Sequence, residues 1–254
     1  MNENEKKIWI TGASSGIGKA LAIKFANQGW QVAASARREN LLKDLNNQNP
    51  NIHPFPLDVK NEMEAKKIFQ NVIEKFKTVD ISVFCTGMHD PDAEKKLSSE
   101  KIREIMETNF FGTLNCIMAV NTYFREKKSG HISIVSSVAG YRGLPAASGY
   151  CASKSALTSL AESLYFDFKR HNVRVSLVSP GFIKTPMTDK NTFKMPFLRT
   201  AEFAANKIYN GLVNKNNFEI SFPIQIKIIM KLLKTLPNQF YLYLIKKLTK
   251  FQKR

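Results

Sequence analysis

The sequence predicts an α/β protein, a doubly wound parallel sheet with helices on both faces, followed by a C-terminal amphipathic helical tail. Three observations predict it. Short apolar runs alternate with helix-period segments of ten residues or more, which implies parallel strands joined by covering helices. A glycine-rich turn closes the first run and opens the first helix. No repeat or low-complexity linker interrupts residues 6–222, so residues 1–222 read as one domain and 223–254 as a tail of different composition.

The elements follow in order. Residues 7–11 (KIWIT) form a buried strand that ends at glycine. Residues 16–28 space Ile17, Leu21, Ile23 and Phe25 as a helix does, and Gly29 stands where it stops. Residues 30–36 give a second strand, 41–46 start a short helix, and Asn51 to Val59 is extended. Residues 61–76 repeat Met63, Ile68, Val72, Ile73 and Phe76 on an amphipathic helix. Residues 81–84 (ISVF) form a further strand, and Ser98 caps a long helix that runs to about Lys128. Strand 131–136, helix 150–169 and strand 173–178 complete the alternation.

Composition excludes several classes. Apolar residues at 43% and charged residues at 23% are ordinary for a globular chain and rule out a disordered or fibrous one. Cys85, Cys116 and Cys151 show no CxxC spacing, so neither a disulfide framework nor a Cys-rich zinc site is expected. His53, His89, His131 and His171 lack metal spacing, and His89-Asp90 reads as exposed loop. The polar start MNENEKK has no apolar stretch of a secretory signal, so a reducing, cytoplasmic location is expected.

Thr11-Gly12-Ala13-Ser14-Ser15-Gly16-Ile17-Gly18 carries the first functional signal. Following a strand and opening a helix, it matches the context of a dinucleotide-binding turn, and so makes the fold Rossmann-like. Glycines let the backbone approach a pyrophosphate, and the helix N-terminus supplies free N–H groups and a positive dipole. Gly12, Ser14, Ser15, Gly16, Ile17 and Gly18 are the expected contacts.

The TGxxxGxG turn resembles that of the classical short-chain dehydrogenase/reductase family, and later residues match in order. Asn109 lies in TNFFG, Ser137 in IVSSVAG, and Tyr150 and Lys154 in YCASK, 13 residues after Ser137; Pro180-Gly181 follows the next strand. The resemblance covers about residues 6–215. It implies hydride transfer between nicotinamide C4 and a carbonyl or alcohol carbon, with Asn109, Ser137, Tyr150 and Lys154 catalytic. It further implies that Lys154 holds the nicotinamide ribose and that Asn109 keeps a water in the proton relay. One stretch departs: the family's NNAG is Phe84-Cys85-Thr86-Gly87 here, with only the glycine kept. Gly87 still lets the backbone approach the cofactor ribose.

The chemistry also follows from the residues. Tyr150 and Lys154 are i and i+4 and share one helix face. A phenol with an ordinary pKa near ~10 is a poor acid–base at neutral pH, and an adjacent ammonium is expected to lower it. Ser137, at a strand's C-terminal end, can hydrogen-bond the oxygen on which charge develops.

The cofactor expected is NADP(H) rather than NAD. An acid about 20 residues past the turn selects NAD, whereas an arginine accommodates the 2′-phosphate. Ala36 stands where the acid would be, followed by Arg37 and Arg38. Arg37 is the main expected phosphate ligand, and Arg38 assists or packs on adenine. By resemblance Asp58 and Val59 contact adenine, and Gly87, Pro180, Gly181 and Thr185 complete the cofactor site with Tyr150 and Lys154. The substrate is a small carbonyl or alcohol, contacted by residues 88–97, 139–149 and 182–199, and a homo-oligomer is expected.

Lys plus Arg number 38 against 21 acids, a formal charge of +17. Residues 220–254 contribute eight bases and no acid. Lys227, Lys231 and Lys234 lie on one stripe among isoleucines, leucines and Met230, and Pro237 breaks the run. A second helix puts Phe240, Leu244, Leu248 and Phe251 on one face. The longest uncharged stretch, 235–245, is too short to cross a bilayer of roughly 30 Å. An apolar face edged by lysines instead suits an anionic membrane surface reached through 224–254, which weights the substrate towards a lipophilic one. A lid or a subunit contact is the other reading of the tail. No nucleic-acid motif is present. For the whole chain, the alternative to an enzyme is a non-catalytic, membrane-associated NADP(H)-binding module that senses redox state.

Overall fold

The computed structural model describes residues 5–249 other than Thr192 and Asn216. Seven strands are found among these residues: β1 (Lys7–Thr11), β2 (Gln31–Ala36), β3 (Ile52–Pro56), β4 (Ile81–Phe84), β5 (His131–Val135), β6 (Arg174–Pro180) and β7 (Glu219–Phe222). They form one parallel sheet in the order β3-β2-β1-β4-β5-β6-β7. The chain reverses its direction of growth between β1 and β4. At that point the carboxyl ends of neighbouring strands open a crevice. Thr11 pairs with Phe84 in the register, so both strands stop level with each other.

The strands read as unbroken apolar runs because the sheet is covered on both faces. On one side α1 (Gly16–Ala26), α2 (Glu39–Gln48) and α8 (Ala201–Val213) bury Leu21, Phe25, Leu42, Leu45, Ile208 and Leu212. On the other, α3 (Glu62–Phe76), α6 (Gly112–Lys127) and α7 (Ser148–Lys169) bury Phe69, Val72, Val120, Phe124, Leu157 and Phe168. The short strand β7 and helix α8 are elements that the periodicity reading did not pick out.

The helix expected from Ser98 to Lys128 is interrupted. After α4 (Pro91–Lys95), Ser98 Oγ accepts from the N–H of Lys101 as its cap, and α5 (Ser99–Met106) follows. A π-turn then spans Glu107–Phe111 before α6 resumes. Such wide turns cluster at functional positions, and this one carries Asn109 into the interior, fully buried.

The tail forms α9 (Ile224–Thr235) and α10 (Asn238–Thr249), with Leu236 extended before Pro237 as a pre-proline residue must be. Ile226, Met230 and Leu233, with Tyr241 and Ile245, pack on Val138 and Tyr141. Arg142 donates to the carbonyls of Leu233 (2.9 Å) and Leu236 (2.7 Å), and its guanidinium lies 4.1 Å from the Tyr241 ring centre. The other side of the pair leaves Ile228, Leu232, Phe240, Leu242, Tyr243 and Leu248 exposed. The expected single apolar face of α10 is therefore divided: Leu244 is half-buried while Phe240 and Leu248 face outward. Phe251, Lys250, Lys253 and Arg254 lie outside the described residues. Lys231 leaves the expected stripe to pair with Glu219. Among the described residues no helix is long and apolar enough to cross a membrane.

Candidate active site

Each glycine of the first turn meets a different demand. Gly12 and Gly16 have φ of +70° and +55°, left-handed values that side chains disfavour. A Cβ on Gly12 would stand 2.9 Å from the Cys85 backbone, and one on Gly18 would stand 2.3 Å from the Gly12 carbonyl oxygen. The three together fold a tight cradle whose floor is the N-terminus of α1. Ser15 precedes that helix without capping it through its side chain. The hydroxyls of Ser14 and Ser15 instead each accept from Arg38 Nη2 at 2.9 Å.

The cradle opens into a cleft along the carboxyl edge of the sheet. The turn residues Gly12, Ser14, Ser15, Gly16, Ile17 and Gly18 line it, with Arg37 and Arg38 at the end of β2 and Asp58 and Val59 beyond β3. Gly87 after β4, and Pro180, Gly181 and Thr185 after β6, line it too. Ser137, Tyr150 and Lys154 enter from the far side. This set fits a dinucleotide: a backbone cradle for a pyrophosphate at one end and cationic side chains beside it.

Ser137 follows β5, accepts from the Ala139 N–H at 3.1 Å and donates to the Pro180 carbonyl at 3.4 Å, and it lines the same cleft as Tyr150. Tyr150 lies in the first turn of α7 and Lys154 one turn on. Lys154 Nζ is buried, donates to the Val135 carbonyl at 2.9 Å, and lies 5.8 Å from the Tyr150 ring centre.

A model of the family described as short chain dehydrogenase matches residues 6–195. The chain belongs to the short-chain dehydrogenase family. An uncharacterised oxidoreductase of Myxococcus xanthus is 34% identical over 236 residues, 91% of this chain and 93% of its own. The 3-oxoacyl-[acyl-carrier-protein] reductase FabG of Thermotoga maritima is 32% identical over 185 residues, 71% of this chain and 75% of its own. A solved structure described as ElxO with NADP bound superposes with a TM-score of 0.76 at 26% identity, covering 85% of this chain and 97% of that one. The chain is thus an oxidoreductase with a Rossmann-like fold.

Within this short-chain dehydrogenase, three features of the site go beyond what spacing shows. The ammonium of Lys154 does not set the Tyr150 ionisation in the cofactor-free cleft. Burial pushes the phenol up to about 12, against the lowering effect of the nearby Ser137 hydroxyl, and pushes Lys154 down to about 8. Desolvation disfavours the charged form of each group, and at this separation it outweighs their attraction. Asn109 lies against the cleft wall, its Oδ1 3.7 Å from where a Cβ on Gly87 would stand. Its carboxamide is spent on the Met88 backbone, accepting from N–H at 2.7 Å and donating to C=O at 3.0 Å, and on Ser153 Oγ at 3.0 Å. It thereby pins the segment just after Gly87 to α7.

His89, expected as exposed loop, is the third. Its side chain is only 14% exposed and its ring centre lies 4.6 Å from that of Tyr150. Met187 and Thr188 also line the cleft; they fall in the 182–199 stretch, where sequence gave the region but no individual residue. Cys116 and Cys151 are buried thiols and Cys85 is half-buried, and among the described residues no cluster could hold a metal.

Proposed function

We propose that this oxidoreductase interconverts a lipophilic carbonyl and its alcohol with NADP(H). One observation carries the reading: Tyr150, one helical turn from the buried Lys154, shares a cleft with Ser137 and the glycine cradle. When bound, the dinucleotide supplies or accepts a hydride at nicotinamide C4. In the reducing direction Tyr150 passes its phenolic proton to the carbonyl oxygen, and Ser137 donates a hydrogen bond to that oxygen. Lys154, pushed down only to about 8, is still mostly charged at neutral pH and steadies the phenolate left behind. Lys154 also holds the cofactor ribose, and Asn109 serves by fixing Met88 beside the site.

Arg38, set on the two turn serines, and Arg37 at the same rim receive the 2′-phosphate; Asp58 and Val59 flank the adenine. An NADP-bound structural relative supports this choice over NAD. A relative named as a 3-oxoacyl reductase supports a fatty, carbonyl-bearing substrate. The test is NADPH oxidation against long-chain aldehydes, ketones and 3-oxoacyl thioesters. Tyr150→Phe should cut turnover by roughly 10²–10⁴-fold while NADPH binding persists. A variant that turns over normally would remove Tyr150 as proton donor.

The reading extends to place. α9 and α10 leave Ile228, Leu232, Phe240, Leu242 and Leu248 exposed, and Lys234, Lys246 and Lys247 exposed among them. With no acid after Glu219, that surface complements an anionic bilayer, where the pair lies in the interface plane. A cytoplasmic enzyme, peripheral on the membrane, would meet lipophilic substrates there. Exposed Phe111, Met118 and Phe166 support a homo-oligomer, which sedimentation would read.

A further inference from the structure

A buried acid and a histidine that the reaction above does not use stand directly on the proton donor. Glu94, in α4, has a fully buried side chain. Its Oε2 accepts from the backbone N–H of Tyr150 at 3.1 Å. That N–H is one of the unpaired donors in the first turn of α7, where a carboxylate is favoured by the helix dipole. The second oxygen, Oε1, lies 3.2 Å from His89 Nε2, a close contact without hydrogen-bond geometry. The buried carboxyl and the imidazole therefore pack directly against each other beside Tyr150. The imidazole in turn lies over the Tyr150 ring at 4.6 Å and 35°, within the range of stacked aromatic pairs.

We propose that His89 and Glu94 are positioning residues for Tyr150: Glu94 fixes its backbone and His89 fixes its ring. The proposal rests on Tyr150 being the proton donor of the reaction above. A cap on α7 needs only Glu94 and the Tyr150 N–H. It does not need a second side chain, drawn from the loop after β4, with its face on the phenol. The stack closes one side of the ring. Around that ring stand Lys154 and Cys151 from α7, Cys85 from the end of β4 and Glu94 from α4. His89 shields the phenol from water among these groups.

The test compares His89→Ala, which removes the ring, with His89→Phe, which keeps a flat ring and drops the contact with Glu94. Two readouts are taken on the full chain. The first is kcat and KM for NADPH oxidation, with NADPH affinity measured separately by fluorescence. The second is phenolate absorbance at about pH 10.5, between the ordinary tyrosine value and the raised one, with Tyr150→Phe as the blank. His89→Ala is expected to lower kcat by about 10–100-fold, as small misplacements of reacting groups do, with NADPH affinity unchanged. It should also ionise a larger share of Tyr150, because water reaches the ring. His89→Phe should restore both readouts, and Glu94→Gln, which keeps an acceptor for the Tyr150 N–H, should retain most of the rate. An alanine variant with unaltered kcat and unaltered phenolate absorbance overturns the proposal. So does a phenylalanine variant no better than alanine, which would assign the effect to the imidazole's polar chemistry. If the unmodified chain turns over no carbonyl compound, the reaction assignment fails. The phenolate readout then decides the positioning claim on its own.

Discussion

Replacing Lys154 with methionine should make the cofactor-free protein more stable at neutral pH and inactive at every pH. The amine is buried, and burial lowers it from 10.5 to about 8. In the unfolded chain the group keeps its proton to about pH 10.5, whereas in the folded chain it releases it near 8. Between those values the unfolded state binds more protons, so this group's contribution to stability rises with pH. Below pH 8 both states are charged and the full cost of the buried ammonium is present, roughly 3 kcal/mol at ~1.4 kcal/mol per pH unit. Above pH 10.5 it is gone. Methionine keeps the length of the chain and removes the charge, but it forfeits the hydrogen bond to Val135, worth about 1 kcal/mol. The variant should therefore gain about 2 kcal/mol below pH 8, a rise in Tm of roughly 4–8 °C for a chain of this size. The gain should fade as the pH approaches 10.5. Urea unfolding of both proteins across this range measures it. The difference between the two curves cancels Cys151, Tyr141 and Tyr150, which burial raises to between about 11 and 12 and which destabilise both proteins alike at high pH; Cys85, held down in part by Lys154, adds a small difference only above pH 9. Parallel curves, or a methionine variant less stable at pH 7, would show that the ammonium carries no desolvation cost and would undo the argument. Activity lost with stability gained is the trade expected of a strained catalytic group.

Three further outcomes follow from the geometry. Arg37→Ala with Arg38→Ala should erase a preference for NADPH over NADH of roughly 10–150-fold, the equivalent of ~1.5–3 kcal/mol for a charge-assisted contact; equal affinities in the unmodified protein would refute the phosphate assignment. Gly18→Ala, whose Cβ would stand 2.3 Å from the Gly12 carbonyl oxygen, should abolish NADPH binding in a fluorescence titration, and a variant that binds normally would mean the cradle has room to yield. The full chain should float with anionic vesicles more than with neutral ones, each lysine near such a surface contributing about 1 kcal/mol; salt should weaken the preference, and Ile228→Ser with Leu232→Ser should reduce binding to both. A tail that serves only as a lid predicts no vesicle binding at all.

What was legible in the sequence is what local spacing dictates. β1 and β4 read as strands because both faces of the sheet are covered, so most positions are apolar and the polar ones, Lys7, Thr11 and Ser82, are buried as well. The turn from Thr11 to Gly18 was legible because left-handed backbone at two glycines and a steric limit at the third leave few alternatives. Tyr150 and Lys154 were legible because four residues on a helix is one face. The rest depends on segments distant in sequence. Glu94 is a charged residue in a polar stretch, and nothing in its neighbourhood says that α4 folds back under the first turn of α7. His89 looked like loop for the same reason. Asn109 could be placed on its helix, but not the π-turn that buries its side chain against Met88 and Ser153. The ionisation of Tyr150 and Lys154 was misjudged because spacing shows that two groups are neighbours but not how much water surrounds them.

The tail shows how the two kinds of information combine. Its alternation of apolar residues and lysines predicts an amphipathic element, and one apolar face would satisfy that prediction. The structure divides the apolar residues between two faces. The inner one, Ile226, Met230, Leu233, Tyr241 and Ile245, is spent on Val138 and Tyr141, one and four residues beyond Ser137. Arg142 ties the same loop to the junction of α9 and α10 by two backbone carbonyls and the Tyr241 ring. The outer face therefore cannot be a surplus of the core, because the core side is already filled. Anything that bound that outer face would bear on helices packed against the loop that follows Ser137. A truncation before Ile224 should for that reason disturb turnover even on a water-soluble substrate, through loss of the Val138 and Tyr141 packing. Substitutions confined to Ile228 and Leu232 should spare turnover on that substrate and lose only the surface.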